Sequence, residues 1–353
     1  MRIGLDATPL IGNRTGVGRY TLSLLRALTE YDDELVATAF TFRGRDALTA
    51  AVPPGVRVAS RPAPARALQG LWARGSWPPV ELLSGSVDVF HGTNFVLPPT
   101  RRARGVVTIH DLSYLRHPDT VSPASARYRT LVPRSIERAS VIITPSATTA
   151  EQVQTEYDVQ CPVVVTWLGV DRQWADAAPL DEEGRRRLAL PPSYLLFVGS
   201  LEPRKDLKTL LAAHRLMPGA PPLVLVGPPG WGEQVDVSGC ITPGFLGDDV
   251  LPRVVAGAAA LVLPSRDEGF GLPLVEALTA GTPVVASDLP VLREVGGSAV
   301  TYAEVGNPEA FAAALTTVLG SPGDPGPRRA HGAGFSWARC AEATRAAYSL
   351  ALS

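Results

Sequence analysis

Two glutamates, Glu268 and Glu276, stand with seven residues between them in the tract LVLPSRDEGFGLPLVEALTAGTPVVAS, Leu261 to Ser287. The apolar run Ala258 to Pro264 has strand composition, and Ser265 to Gly271 is a polar glycine loop. Pro273 suits a first helical position, and Gly281 fits as the helix stop. A strand, a glycine loop and a helix N-terminus aim unpaired backbone N–H groups and the positive dipole end at one point, which favours a phosphate. Carboxylates cannot be phosphate ligands, so their use is to accept hydroxyls on either side of it. Glu276 is expected to take a ribose diol and Glu268 a sugar, and together they imply a sugar nucleotide. Glu276 alone would read as a helix-start acid stabilised by the dipole; its setting with Glu268 and the glycines favours the site.

A second chemistry-bearing segment, Gly199-Ser200-Leu201-Glu202-Pro203-Arg204-Lys205-Asp206, follows the apolar run Leu195 to Gly199. Lys205 and Lys208 are the only lysines in a chain that otherwise uses arginine for positive charge. A leaving nucleoside diphosphate gains charge as the glycosidic bond breaks, and Arg204 and Lys205 would neutralise it; the alternative is a solvated cationic loop. Near the start, Gly16-Val17-Gly18-Arg19-Tyr20 invites a dinucleotide reading. That reading fails, because Thr21 stands where a third glycine belongs, Thr8 to Thr15 separates the glycines from the first strand, and the second strand ends at Phe42-Arg43 without an acid. Gly16 and Gly18 are instead expected in a loop before the helical TLSLLRAL, or in a plain helix-entry turn. His110-Asp111 ends the strand VVTIH and should emerge at its edge, although a lone histidine can be structural. His91, in VFHGTN, either lines an acceptor side or is structural.

The Glu268 to Glu276 spacing resembles the E-x7-E motif of the retaining family 4 (group 1) glycosyltransferases. The resemblance continues through AGTPVVAS and LPVLREVGGSA and recurs at several places from residue 3 to about residue 340. It implies a GT-B fold of two facing Rossmann-like domains with an interdomain cleft, and a mannosyltransferase-like activity. It further implies that Arg204 and Lys205 contact the donor diphosphate and that Gly16 and Gly18, in a TGxGR-like pattern with Thr15, face the cleft. His110 of the HD pair would lie near the donor sugar's anomeric region. The expected catalytic set is His110, Arg204, Lys205 and Glu268. Donor binding is expected to add Gly16, Gly18, Phe245, Gly269, Phe270, Gly271, Leu272 and Glu276. The chain departs from the family pattern in two places. Gly244 to Asp249, which should approach the base, is shorter before Gly257, and WLGVD has Leu168 where an asparagine commonly precedes the glycine.

These residues need elements to hold them. Strand-like runs at Ile3 to Asp6, Val36 to Phe42, Val87 to His91, Val106 to His110 and Val141 to Pro145 alternate with helical segments. A second set follows at Leu195 to Gly199, Leu223 to Gly227, Ala259 to Pro264 and Pro283 to Ser287. Such alternation predicts α/β, doubly wound parallel sheets. The length of 353 residues suits two domains. They are expected at 1–170, acceptor-binding, and 171–335, nucleotide-sugar-binding, with the join between Trp167 and Pro192. The resemblance implies that a helix over 336–353, within FSWARCAEATRAAYSL, crosses back to the first domain.

A net charge of −1 and a pI near 6.5 give no sign of nucleic-acid binding. MRIGL begins directly as a strand without the parts of a secretory signal, and no apolar run spans a bilayer. Cys161, Cys240 and Cys340 lack zinc or redox-pair spacing, so a reducing cytoplasm is expected. No Asp-x-Asp occurs, and neither an obligatory metal nor any other cofactor is expected. Arg101, Arg102, Arg104, Arg127, Arg129, Arg134 and Arg138, with Trp72 and Trp77 among Arg66 and Arg74, suggest peripheral docking at the inner membrane face; the alternative is solvated faces and core tryptophans. The function expected is transfer of a hexose, best mannose from GDP-mannose, to a hydroxyl of a glycan or lipid-linked saccharide. The competitors are a nucleotide-sugar epimerase or hydrolase on the same fold and a non-catalytic nucleotide-sugar-binding protein.

Overall fold

The computed structural model describes residues 1–12, 16–42, 44–59, 61–232 and 235–353; Thr15 and Arg43 therefore lie outside the described residues. The chain divides into two compact units. One comprises Met1–Leu115, Ala124–Gly169 and Trp337–Ser353, the other Arg116–Pro123 and Val170–Ser336.

The first unit is built on seven strands: β1 (Arg2–Asp6), β2 (Glu34–Thr38), β3 (Arg57–Val58), β4 (Val89–Gly92), β5 (Arg104–Thr108), β6 (Val141–Thr144) and β7 (Val163–Val165). Their order is β3-β2-β1-β4-β5-β6-β7, and every pairing is parallel. Central strands of a parallel sheet are covered on both faces, so they bury every residue rather than alternate. β4 and β6 do so. The helix Gly16–Leu28 buries Tyr20, Leu24, Leu25 and Leu28. The helix Trp337–Leu352 packs on it in the same unit and buries Trp337, Cys340 and Tyr348.

Gly16 and Gly18 are not in a loop. They are the first and third residues of the helix Gly16–Leu28. The helical period runs back through them, since Thr21 Oγ1 donates to Val17 O one turn earlier at 2.9 Å.

The second unit carries β8 (Leu195–Val198), β9 (Leu223–Val226), β10 (Ile241–Gly244), β11 (Ala260–Leu263), β12 (Val284–Ser287) and β13 (Thr301–Ala303). Their order is β10-β9-β8-β11-β12-β13, again all parallel. Both sheets are thus doubly wound, as the alternation of elements predicts. Four strands, β3, β7, β10 and β13, lack a long apolar run in the sequence, and they are the four edge strands. Edge strands are short and half covered, and β10 even contains Pro243, tolerated there because an edge strand need not donate on both sides.

In each sheet the winding reverses between two neighbours, β1 and β4 in the first and β8 and β11 in the second. Loops leaving the carboxyl ends of such a pair diverge to opposite faces and leave a crevice, the usual ligand position in open α/β sheets.

Candidate active site

β8 and β11 pair in register at Leu195 with Ala260 and Leu196 with Leu261. The loop after β8 therefore meets the loop after β11. Lys205 Nζ donates to Glu268 Oε1 at 2.6 Å, and Ser265 Oγ donates to the same oxygen at 2.7 Å. Arg204 Nη1 donates to Asp267 O at 2.9 Å and lies 3.6 Å from Glu268 Oε2. Arg204 Nη2 donates to Glu202 Oε1 at 2.8 Å, and Ser200 Oγ donates to Glu202 Oε2 at 3.1 Å. A backbone link, Arg266 N–H to Arg204 O at 2.9 Å, ties the two loops directly.

Burial by itself would raise the Glu268 carboxyl, but the charges of Lys205 and Arg204, with their hydrogen bonds and that of Ser265, overcome it and hold the group below the ordinary carboxylate value. The glutamate is ionised and fixed. An ammonium has three donors, so Lys205 can hold Glu268 and still meet a phosphate oxygen. Arg204 is oriented from both sides, by Glu202 and by the Asp267 carbonyl. Glu202 and Ser265 were not singled out from sequence. The trace of Glu202 is an acid two residues before an arginine across a proline, which favours the tight turn at Pro203–Lys205.

Asp206 closes that turn in the left-handed conformation at φ +48° and precedes the helix Leu207–Arg215. Aspartate tolerates this region better than most residues. Its Oδ2 accepts from Thr209 Oγ1 at 2.8 Å and from Arg266 Nε at 2.9 Å. The loop after β9 presses on the same segment: a Cβ on Gly230 would sit 2.0 Å from Leu201 O. A side chain there would displace the loop that carries Arg204 and Lys205.

The helix Leu272–Ala280 begins at Gly271, φ +89°, and ends at Gly281, φ +84°. Gly269 and Gly271 flank Phe270, whose ring is buried edge-on against Phe335 at 5.8 Å between centroids. Phe270 therefore packs the loop from beneath, and Leu272 is buried as the first helical residue. Glu276 sits in the second helical turn, only 1 % exposed. Phe245, just past β10, presents a ring that is 57 % exposed.

In the first unit His110 Nε2 lies 2.8 Å from Thr93 O. A carbonyl only accepts, so Nε2 carries the proton and Nδ1 is the acceptor. Burial pushes this imidazole below its usual value, against the Thr93 bond and Asp111, and keeps it neutral. Tyr20 and Phe95 meet its ring edge-on, at 5.1 and 5.5 Å. Asp111 Oδ1 accepts the Ser113 N–H at 3.0 Å. His91 is buried in a network, with Nδ1 at 2.8 Å from Tyr348 Oη and Nε2 at 2.7 Å from Thr108 Oγ1. Burial and neighbouring His110 lower it to about 3, so it joins the C-terminal helix to β4 and β5 as a neutral structural group. Trp72 is likewise core, 1 % exposed, its Nε1 donating to Pro78 O at 3.0 Å, whereas Trp77 is 67 % exposed. Among the described residues no helix is long and apolar enough to cross a membrane.

Residues 14–174 match the family described as Glycosyltransferase Family 4, and residues 192–321 the family described as Glycosyl transferases group 1. Over 284 residues the chain is 32 % identical to O-antigen chain mannosyltransferase B of Escherichia coli, covering 74 % of each chain. Over 324 residues it is 26 % identical to O-antigen chain mannosyltransferase RfbU of Salmonella typhimurium, covering 86 % of this chain and 87 % of that one. Among solved structures it resembles sucrose-phosphate synthase from Thermosynechococcus elongatus, with a TM-score of 0.76 at 19 % identity over 99 % of this chain and 98 % of that one. It also resembles HepE of Anabaena in complex with UDP and glucose, with a TM-score of 0.71 at 18 % identity over 98 % of both chains. At these identities the structures speak for the fold.

Proposed function

Because this chain belongs to the family 4, group 1 glycosyltransferases, we propose that it transfers mannose from GDP-mannose to a hydroxyl of a glycan or lipid-linked saccharide, retaining the anomeric configuration and needing no metal. The observation that carries this reading is the ion-paired cluster at the switch point of the second sheet, where Lys205 and Arg204 hold the buried Glu268. The relatives' names, both mannosyltransferases, support mannose. A nucleotide-sugar donor is supported by HepE, solved with UDP-glucose, which makes that donor the natural competitor in a test.

In this mechanism the bond from the sugar's anomeric carbon to the diphosphate breaks while the acceptor oxygen bonds to that carbon on the same face. The acceptor's proton passes to the departing phosphate oxygen. Lys205 and Arg204 stabilise the charge that develops there, in the role a metal ion plays elsewhere. Glu268 accepts from hydroxyls of the donor sugar, and Glu276 from the ribose diol. The exposed ring of Phe245 offers the base an apolar face, and backbone N–H groups of Gly269 to Leu272 face the phosphates. From the first unit, neutral His110 helps orient the donor sugar, with Gly16 and Gly18 at a helix N-terminus suited to an anion. The enzyme works in the cytoplasm, at the inner membrane face, where exposed Leu71, Trp77 and Leu82, in the same stretch of sequence as Arg66 and Arg74, meet anionic lipid.

Calorimetry with GDP-mannose, UDP-glucose, UDP-N-acetylglucosamine and ADP-glucose in EDTA tests the donor assignment. Selective binding of GDP-mannose is expected. Preference for another donor overturns the mannose assignment, no binding by any overturns the nucleotide-sugar reading, and donor consumption at full rate without acceptor turns it into a hydrolase or epimerase. Flotation with anionic vesicles at low salt tests the membrane face, and no retention there sinks it.

A further inference from the structure

The first unit holds a cavity of about 130 Å³ beyond the carboxyl ends of β1, β2 and β4. Its lining includes three aromatic residues: Phe40 and Trp72, which meet edge-on at 5.0 Å between centroids, and Tyr128. The same lining carries oxygen acceptors from Asp6, Gln69 and Asn94. Asp6 is the last residue of β1 and only 6 % exposed. Among the described residues its carboxyl is bonded by Thr8 alone, whose N–H reaches Oδ1 at 2.9 Å. An ionised carboxylate can accept about four hydrogen bonds, so most of its capacity is unused. Gln69 Oε1 is buried and has no hydrogen-bond partner among the described residues. Asn94 is held at 3.4 Å from Tyr128 Oη.

Among the described residues no cation pairs with Asp6, and a buried carboxylate in that state is costly to keep unless something that donates hydrogen bonds comes to it. Aromatic rings and acceptors with unused capacity in one lining suit a ring with apolar C–H faces and several hydroxyl donors, which is a pyranose. A metal ion suits it poorly, because no group of three His, Cys, Asp or Glu side chains converges among the described residues. We propose that this cavity binds a sugar ring of the acceptor and that Asp6 is the residue that selects it, by accepting hydrogen bonds from adjacent hydroxyls. Assignment of that ring to the acceptor rests on the transferase reading; binding of a pyranose as such does not.

Saturation-transfer difference NMR on the full chain tests the cavity without turnover, using the p-nitrophenyl glycosides of α-mannose, α-glucose, α-galactose and N-acetyl-β-glucosamine as probes. At least one probe is expected to show transfer to its ring protons. Asp6→Asn, which can still accept from Thr8, and Gln69→Ala should each weaken that binding about 10- to 100-fold, the loss expected for hydrogen bonds to a charged or buried acceptor. Calorimetric binding of GDP and UDP should be unchanged in both variants. Absence of transfer from every probe, or undiminished transfer in both variants, overturns the proposal, as does loss of nucleotide binding in Asp6→Asn with probe binding intact. Failure of the wild-type chain to bind any nucleotide would sink the transferase reading instead, leaving an Asp6-dependent probe signal standing.

Discussion

Lys205 Nζ lies 2.6 Å from Glu268 Oε1, although 63 residues separate them along the chain. Their two loops leave β8 and β11, neighbours only because the sheet winds outward from that pair in both directions. The consequence is a fixed, ionised glutamate and a cation poised at the carboxyl edge of the sheet, each keeping the other in place.

Replacing Lys205 by alanine should lower kcat about 100-fold, the usual loss when one preorganised donor to a developing charge is removed. Glu268 is only 7 % exposed and would lose its nearer cation. Global stability should fall as well, by on the order of 3 kcal/mol. Steady-state kinetics beside urea unfolding separate the two effects, and wild-type turnover in Lys205→Ala refutes the role.

The depressed Glu268 carboxyl sets a pH dependence whose sign follows from its cause. A group with a folded value below its unfolded one contributes stability above the unfolded value, and that contribution is lost as pH falls through the folded value. The ordinary value is 4.5, so the contribution is complete at neutral pH and disappears at more acid pH. Thermal melts of the wild type and Glu268→Gln should differ most at neutral pH and converge as pH drops below 4.5. A gap that holds constant into acid would show that the ion pairs do not carry it.

Asp6 behaves in the opposite sense. Burial raises its carboxyl from 3.8 to about 6, against the bonds from Thr8. Between those values the folded chain keeps a proton that the unfolded chain has released, so stability falls as pH rises through that window and stays lower above it. Asp6→Asn should therefore stabilise the chain at pH 7.5 by on the order of 2–3 kcal/mol, with the gain gone near pH 4. Differential scanning calorimetry across that range is the check. A stabilised variant that has lost sugar binding would mark Asp6 as retained for function at the expense of stability.

Gly271 should not tolerate a side chain. At φ +89° any other residue is strained, and a Cβ would come within 2.6 Å of Leu292 Cδ2. Gly271→Ala should cost on the order of 1–3 kcal/mol and tilt the start of the helix that carries Glu276. Reduced affinity for GDP-mannose, alongside a lower melting temperature, is the expected result; an unchanged variant would show that the loop adapts freely.

The interior of both sheets and the helix bounds of the glutamate-bearing tract are legible in the residues alone. Strands such as β9 and β11 bury every residue, so each reads as an unbroken apolar run, and alternation with helices implies parallel winding. Within the Leu261 to Ser287 tract, local chemistry is enough: Gly271 and Gly281 bound the helix because each needs a positive φ. Only the tertiary structure decided the rest, because the physical causes are not local. The edge strands β3, β7, β10 and β13 exist because a neighbour offers them hydrogen bonds, not because their own residues demand it. Glu202 and Ser265 acquire their roles across the switch point, from groups that the fold delivers to them. Trp72 became core and Trp77 surface through packing that composition does not record. Asp6 ends β1, and its significance comes from what the fold places around it: aromatic rings, an orphaned amide oxygen and, among the described residues, no cation.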